Sequence, residues 1–247
     1  MTRHPLLALL FFCLTLGVGS TALAAAGDAD YEKGLALWQA DKRSTAALPH
    51  WLKAAEQGHA QAAYGVALMH NNYKEADMKI AARWFRVAAD GGIAPAMHNL
   101  GIFYMKGLGG LTANETIAAQ WFQKAAAADD TEAMVMLAAL HDEGRGVPKD
   151  PGTALRLHLA AAEAGHPIAL TTIGLAMLQG TYGVKIDPPR AQLLLNDAAM
   201  QGSVDAMRIL AKLYQSGFGG VPADPATAAQ WTQRAAACGN TVICMPR

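Results

Sequence analysis

The sequence predicts an all-α protein, an α-solenoid of six helix-turn-helix repeats forming a superhelix. Two observations predict it. A pattern Ala-x-x-x-apolar-small restarts at Ala29, Ala60, Ala96, Ala133, Ala169 and Ala206; the first interval is 31 residues and the next four are 36, 37, 36 and 37. Between restarts one joint returns: a Gly-rich turn, a capping residue and a second Ala-rich segment. Self-similarity at a period of about 20–50 residues is the mark of stacked supersecondary units.

The joint is most complete over Gly144–Gly165. Gly144-Arg-Gly146 ends one helix. Asp150 then offers its carboxylate as an N-cap, and Pro151 takes the first helical position, where its missing N–H costs nothing. The Ala/Leu helix that follows stops at Gly165, which tolerates a left-handed backbone. Copies run from Gly180 to Asp187-Pro188 and from Gly217 to Asp224-Pro225. A looser copy runs from Gly107 to Asn114. Asn114-Glu-Thr116 also matches a glycosylation sequon, but the capping place explains the asparagine by itself.

Each first helix carries an apolar and small face, for example Ala96, Leu100, Gly101 and Tyr104. Gly101 and its equivalents Gly34, Gly65, Ala138, Gly174 and Ala211 are expected to admit a neighbouring backbone. The second helix has its own marker. Trp84, Trp121 and Trp231 share one place, filled by Leu157 and Leu194 in copies four and five; in copy one His50 stands there and Trp51 follows it. Neither helix can bury its face alone, so the pairs must stack.

Composition agrees. The 247 residues carry 20 basic and 20 acidic side chains and are rich in Ala, Leu, Gly and Met. That balance gives no electrostatic case for nucleic acid, which favours a clearly basic surface. The N-terminus reads as a secretory signal peptide, residues 1–24. Arg3 and His4 make a short polar start, Pro5–Val18 is almost wholly apolar, and Ala22-Leu23-Ala24 forms an A-x-A cleavage pattern. The apolar run is shorter than the ~20 residues of a membrane-spanning helix. Export implies an oxidising compartment, periplasmic or extracellular. The mature chain keeps Cys238 and Cys244, read as a disulfide clipping the C-terminal tail to the last helix.

Catalytic constellations are missing. None of Ser20, Ser44, Ser203 and Ser216 has a lysine three residues on, and there is no Gly-x-Ser-x-Gly elbow, His-Glu-x-x-His motif or phosphate-binding glycine loop. His50, His59, His70, His98, His141, His158 and His166 are scattered without ligand spacing. The expectation is therefore no metal, no cofactor and no enzymatic activity.

The assembled pattern, Ala-x-x-x-Leu-Gly-x-x-Tyr … Gly-x-Gly-Val … Asp-x-x-x-Ala … Trp-x-x-Lys-Ala-Ala-x-x-Gly, resembles the Sel1-like repeat, a relative of the tetratricopeptide repeat. It covers nearly all of Ala29–Asn240, with repeats near 29–59, 60–95, 96–132, 133–168, 169–205 and 206–240 inside a solenoid of residues 25–240 and a tail of residues 241–247. Copies one and two lack the Gly-x-Gly turn, and copy two has His70-Asn-Asn-Tyr73 there. The resemblance implies that first helices line a concave face and that a protein or peptide partner binds on it. Carried onto this chain, the groove takes His98, Ile102, Met105 and Lys106 from copy three, and Ala139, Asp142 and Glu143 from copy four. Thr171, Leu175, Leu178 and Gln179 follow from copy five, and Arg208, Lys212, Gln215 and Ser216 from copy six. The expected function is an exported, monomeric, non-catalytic adaptor or scaffold. The resemblance also allows an immunity protein that blocks a secreted toxic lipase; a β-lactamase-like hydrolase is opposed by the missing Ser-x-x-Lys.

Overall fold

Ala-rich segments opened by a capping carboxylate and closed by glycine fold here as short helices, in pairs. The structure, a computed structural model, describes residues 13–42, 45–72, 77–239 and 241–244. Those residues form twelve α-helices and no strand. The first helices of the six repeats are α1 (Cys13–Ala40), α3 (Ala60–Asn72), α5 (Ala94–Lys106), α7 (Thr131–Glu143), α9 (Pro167–Gln179) and α11 (Val204–Ser216). The second helices are α2 (Leu48–Glu56), α4 (Met78–Asp90), α6 (Glu115–Ala126), α8 (Pro151–Glu163), α10 (Pro188–Met200) and α12 (Pro225–Ala237). The expected fold class, an all-α solenoid of helix pairs, is the one found.

The joint has a fixed hydrogen-bond chemistry. The side chains of Asn114, Asp150, Asp187 and Asp224 accept from the backbone N–H of Ile117, Thr153, Arg190 and Thr227. Their own N–H groups reach back to the preceding helix, donating to the carbonyls of Tyr104, His141, Met177 and Tyr214 at 2.7–2.9 Å. One residue thus caps the second helix and ties it to the last turn of the first. Such a cap is worth about 1 kcal/mol.

The chain divides into two compact units, Met1–Trp121 and Phe122–Arg247, with the boundary inside α6. In the first unit each helix from α1 to α5 packs on the next; in the second, α7 to α12 do the same. Of the expected signal peptide, residues 1–12 lie outside the described residues, as do Tyr73, Asn240 and the last residues of the tail, 245–247. Among the described residues, no helix is long and apolar enough to cross a membrane.

The deepest place on the second helix is one residue beyond the tryptophan marker. It is held by Trp51, Phe85, Phe122, His158 and Leu195 in repeats one to five, and the exposed Thr232 is its counterpart in the sixth. Phe85, Phe122 and Leu195 are wholly buried there. The marker tryptophans sit closer to the rim, with the Arg83 guanidinium over Trp84, Arg86 over Trp121 and Arg234 over Trp231. The small residues of the first helices also differ from expectation. A Cβ on Gly34 would lie 2.5 Å from Trp51 Cδ1, and one on Gly65 2.7 Å from Trp51 Cε3. These glycines seat a side chain of the second helix between two first helices, so what they admit is a ring rather than a backbone.

At the C-terminus the structure joins Cys238 to Cys244, with Cα atoms 5.5 Å apart. The tail so held pairs with the loop between α10 and α11. Cys244 N–H donates to the Gly202 carbonyl at 2.7 Å, and Val204 N–H donates to the Val242 carbonyl at 3.1 Å.

Candidate binding surface

A helix in a stack has one face for its own partner helix, one for the next repeat and one left outward. On α7 the outward line is Glu132, Met136, Ala139 and Glu143, none of them buried and spaced by three or four residues. Ile168, Thr172, Leu175 and Gln179 form it on α9; Asp205, Ile209, Lys212 and Ser216 form it on α11. On α5, in the first unit, the line is Pro95, Asn99, Ile102 and Lys106.

The expected groove residues divide between these faces. Lys106, Glu143, Gln179 and Lys212 are exposed on the outward line. Met105 and His98 are half-buried, and His98 is engaged within the chain. Arg208 and Gln215 are exposed but stand one residue off the line, on the side of α11 turned toward α12. Thr171 is a correction. It is only 8% exposed, its hydroxyl donates to the Pro167 carbonyl at 2.7 Å, and it lies 2.9 Å from Ser203 Oγ. It locks repeat five to repeat six and offers nothing to a partner. Asp142 is likewise committed inside the chain, accepting from the Tyr182 hydroxyl at 2.5 Å.

That aspartate belongs to a cluster the sequence reading missed. His158 stands where other repeats place Trp51, Phe85, Phe122 or Leu195, and it is 5% exposed. Its Nε2 lies 3.8 Å from Asp142 Oδ2, and its Nδ1 is buried with no partner among the described residues. Tyr182, held at a left-handed φ of 55°, closes over it with ring centroids 6.4 Å apart. Burial and the Asp142 carboxylate push the Tyr182 hydroxyl up to about 12. The signal available was the lone histidine in an aromatic column. No group of three metal-ligating side chains occurs among the described residues.

Burial holds the His158 pKa below its ordinary 6.5, and Asp142 offsets part of that. Below pH 6.5 the unfolded chain therefore takes this proton more readily than the folded one. The stability His158 contributes is present above that value and is lost as pH falls through it toward the folded pKa. Wild type should lose more stability than His158→Leu between about pH 7.5 and pH 5.5, by at most about 1.4 kcal/mol, since one pH unit of that window lies below 6.5. Equal slopes in a melting series would show that the proton is taken up alike in both states.

In the first unit, α1 and α3 enclose an aromatic hollow of about 480 Å³ lined by Tyr31, Trp38, Trp51 and Tyr64. In the second, α11 and α12 leave an open cleft of about 520 Å³.

Helix pairs that return at a near-constant offset, each stacked on its neighbours, define an α-solenoid repeat protein. The chain belongs to the Sel1 repeat family, whose model matches residues 41–59, 60–93, 94–130, 131–166, 169–203 and 204–240. Proteins of this family are generally non-catalytic scaffolds, and the fold is typical of protein–protein interaction modules. Among solved structures the chain is similar to a Sel1 repeat protein from Oxalobacter formigenes, at 28% identity and a TM-score of 0.74 over 85% of this chain and 84% of that one. It is also similar to a protective antigen of uropathogenic Escherichia coli displaying this fold, at 25% identity and a TM-score of 0.75 over 87% of this chain and 46% of that one. An immunity protein from Pseudomonas aeruginosa shares the fold at 18% identity and a TM-score of 0.54, over 88% and 84% of the two chains. No curated protein matches the chain.

Proposed function

We propose that this chain is an exported, non-catalytic adaptor that binds a protein or peptide partner on the outward faces of its first helices. The observation that carries the reading is the line repeated on α7, α9 and α11. It alternates Met136, Ile168 and Ile209 with Glu143, Gln179 and Lys212. Apolar centres ringed by charge are how binding faces combine affinity with orientation. The signal-like N-terminus and the paired Cys238 and Cys244 support export to an oxidising compartment.

The test is crosslinking with mass spectrometry in the native envelope, comparing wild type with Glu143→Lys/Thr172→Arg/Gln179→Arg. A partner recovered with wild type and lost with the variant supports the reading. Recovery of the same partner by both sinks it for this face. A secreted lipase among the partners would turn the adaptor into the immunity role; the likeness to the immunity protein is of fold alone.

A further inference from the structure

Repeats five and six are spaced alike, so each residue of one has its counterpart 37 positions on: Pro167 and Val204 open α9 and α11, Pro188 and Pro225 open α10 and α12. The cleft between α9 and α10 is where repeat six sits. Leu195 is wholly buried there in one cluster with Met207 and Leu210 of α11. The counterparts of Thr171 and Leu195 are Arg208 and Thr232, both exposed, beside the open cleft between α11 and α12.

Floor and rim of that cleft have diverged differently. On the floor, Ala235, Ala236 and Gly239 keep the small size of their counterparts Ala198, Ala199 and Gly202. At the rim, Lys212 and Gln215 stand where repeat five has Leu175 and Leu178. Among these counterparts, buried Ala198 and Ala199 and half-buried Leu178 share one cluster with Met207 and Leu210 of the next repeat's first helix. The sixth repeat keeps small residues there and has exchanged two leucines for the polar Lys212 and Gln215, with Arg208 beside them donating to the Gly239 carbonyl at 3.5 Å. Lys212 has no ion-pair partner among the described residues, and Arg208 meets Asp205 at 3.2 Å.

We propose that the cleft between α11 and α12 seats an acidic amphipathic helix of a partner protein, laid where a seventh repeat would place its first helix. The small floor takes an Ala/Leu stripe, and Arg208 and Lys212 take carboxylates flanking it. The proposal rests on the interaction-module reading; its cleft shares Lys212 with the outward line but none of the residues changed in the outward-line variant.

The experiment is fluorescence anisotropy on the full chain with two labelled helical peptides of about 16 residues. They share one Ala/Leu stripe; one is flanked by glutamates, the other by lysines. The glutamate peptide should bind, more weakly as salt rises, and the lysine peptide should not. Arg208→Glu/Lys212→Glu should weaken binding at least about tenfold. Ala236→Trp fills the floor without changing charge and should do the same. Equal binding of both peptides, binding of neither up to about 1 mM, or indifference to both variants overturns the proposal. The Glu143→Lys/Thr172→Arg/Gln179→Arg variant should bind the peptide like wild type. Partner capture on the outward line can therefore fail while the cleft stands, and the reverse.

Discussion

Trp51→Ala should cost about 3–5 kcal/mol, toward the upper end of what truncating a buried aromatic does. The cost depends on how far the site can collapse. Here the ring is flanked by two glycines, Gly34 on α1 and Gly65 on α3, which have no side chain to lean into the hole. Trp38 is the nearest ring, tilted at 6.2 Å, and it is held on its other side by Lys42. Trp51→Phe should behave very differently. The indole N–H of Trp51 is buried with no partner among the described residues. Leaving such a donor unmet costs about 1–3 kcal/mol, so its removal offsets much of the lost volume. Urea unfolding followed by far-ultraviolet circular dichroism separates the two. Similar losses for both variants would mean that the glycine-walled seat is not what stabilises the ring.

Gly202→Ala should release the C-terminal tail and destabilise the last repeat by about 2–4 kcal/mol. Two causes add. Gly202 has φ +91°, a conformation that costs a side-chain-bearing residue about 1–2 kcal/mol. A Cβ there would also lie 2.0 Å from the Cys244 carbonyl oxygen, which the backbone must move to avoid. Moving it breaks the two backbone hydrogen bonds that bind the tail, each worth about 1 kcal/mol. Cys244→Ser removes the same anchor from the other end and should cost about 2 kcal/mol, the chain-entropy value for a short loop. The double variant should then lose far less than the sum, because either change alone frees the tail. Amide hydrogen exchange at Val204 reads this directly, and full additivity would show that the tail does not act as one clasp.

The repeat was legible because its signals are local. A capping aspartate, a proline after it and a glycine at the far end declare a helix within a dozen or so residues, whatever surrounds it. Faces were less legible because adjacent residues on a helix point about 100° apart. Thr171 is buried against Ser203 while Thr172 belongs to the outward line, and nothing in either residue's chemistry distinguishes them. The same one-residue phase separates the marker Trp84 from the wholly buried Phe85. Groove positions carried over from a resemblance therefore mixed two faces: Lys106, Glu143, Gln179 and Lys212 look outward, whereas Thr171 and Asp142 serve the interior. His158 was visible as a letter in a column of aromatic and aliphatic ones, but its partner Tyr182 comes from a turn no periodicity describes.

The constant spacing of the last two repeats makes the chain extensible. A block that starts at Pro167 and ends at Ser203 has compatible ends, since Val204 opens α11 as Pro167 opens α9. A tandem copy of that block would meet a leucine-rimmed seat below and offer the same seat above, leaving the basic rim and the disulfide-bound tail at the new terminus. Length in this protein is thus a countable quantity, open to gene duplication one block at a time.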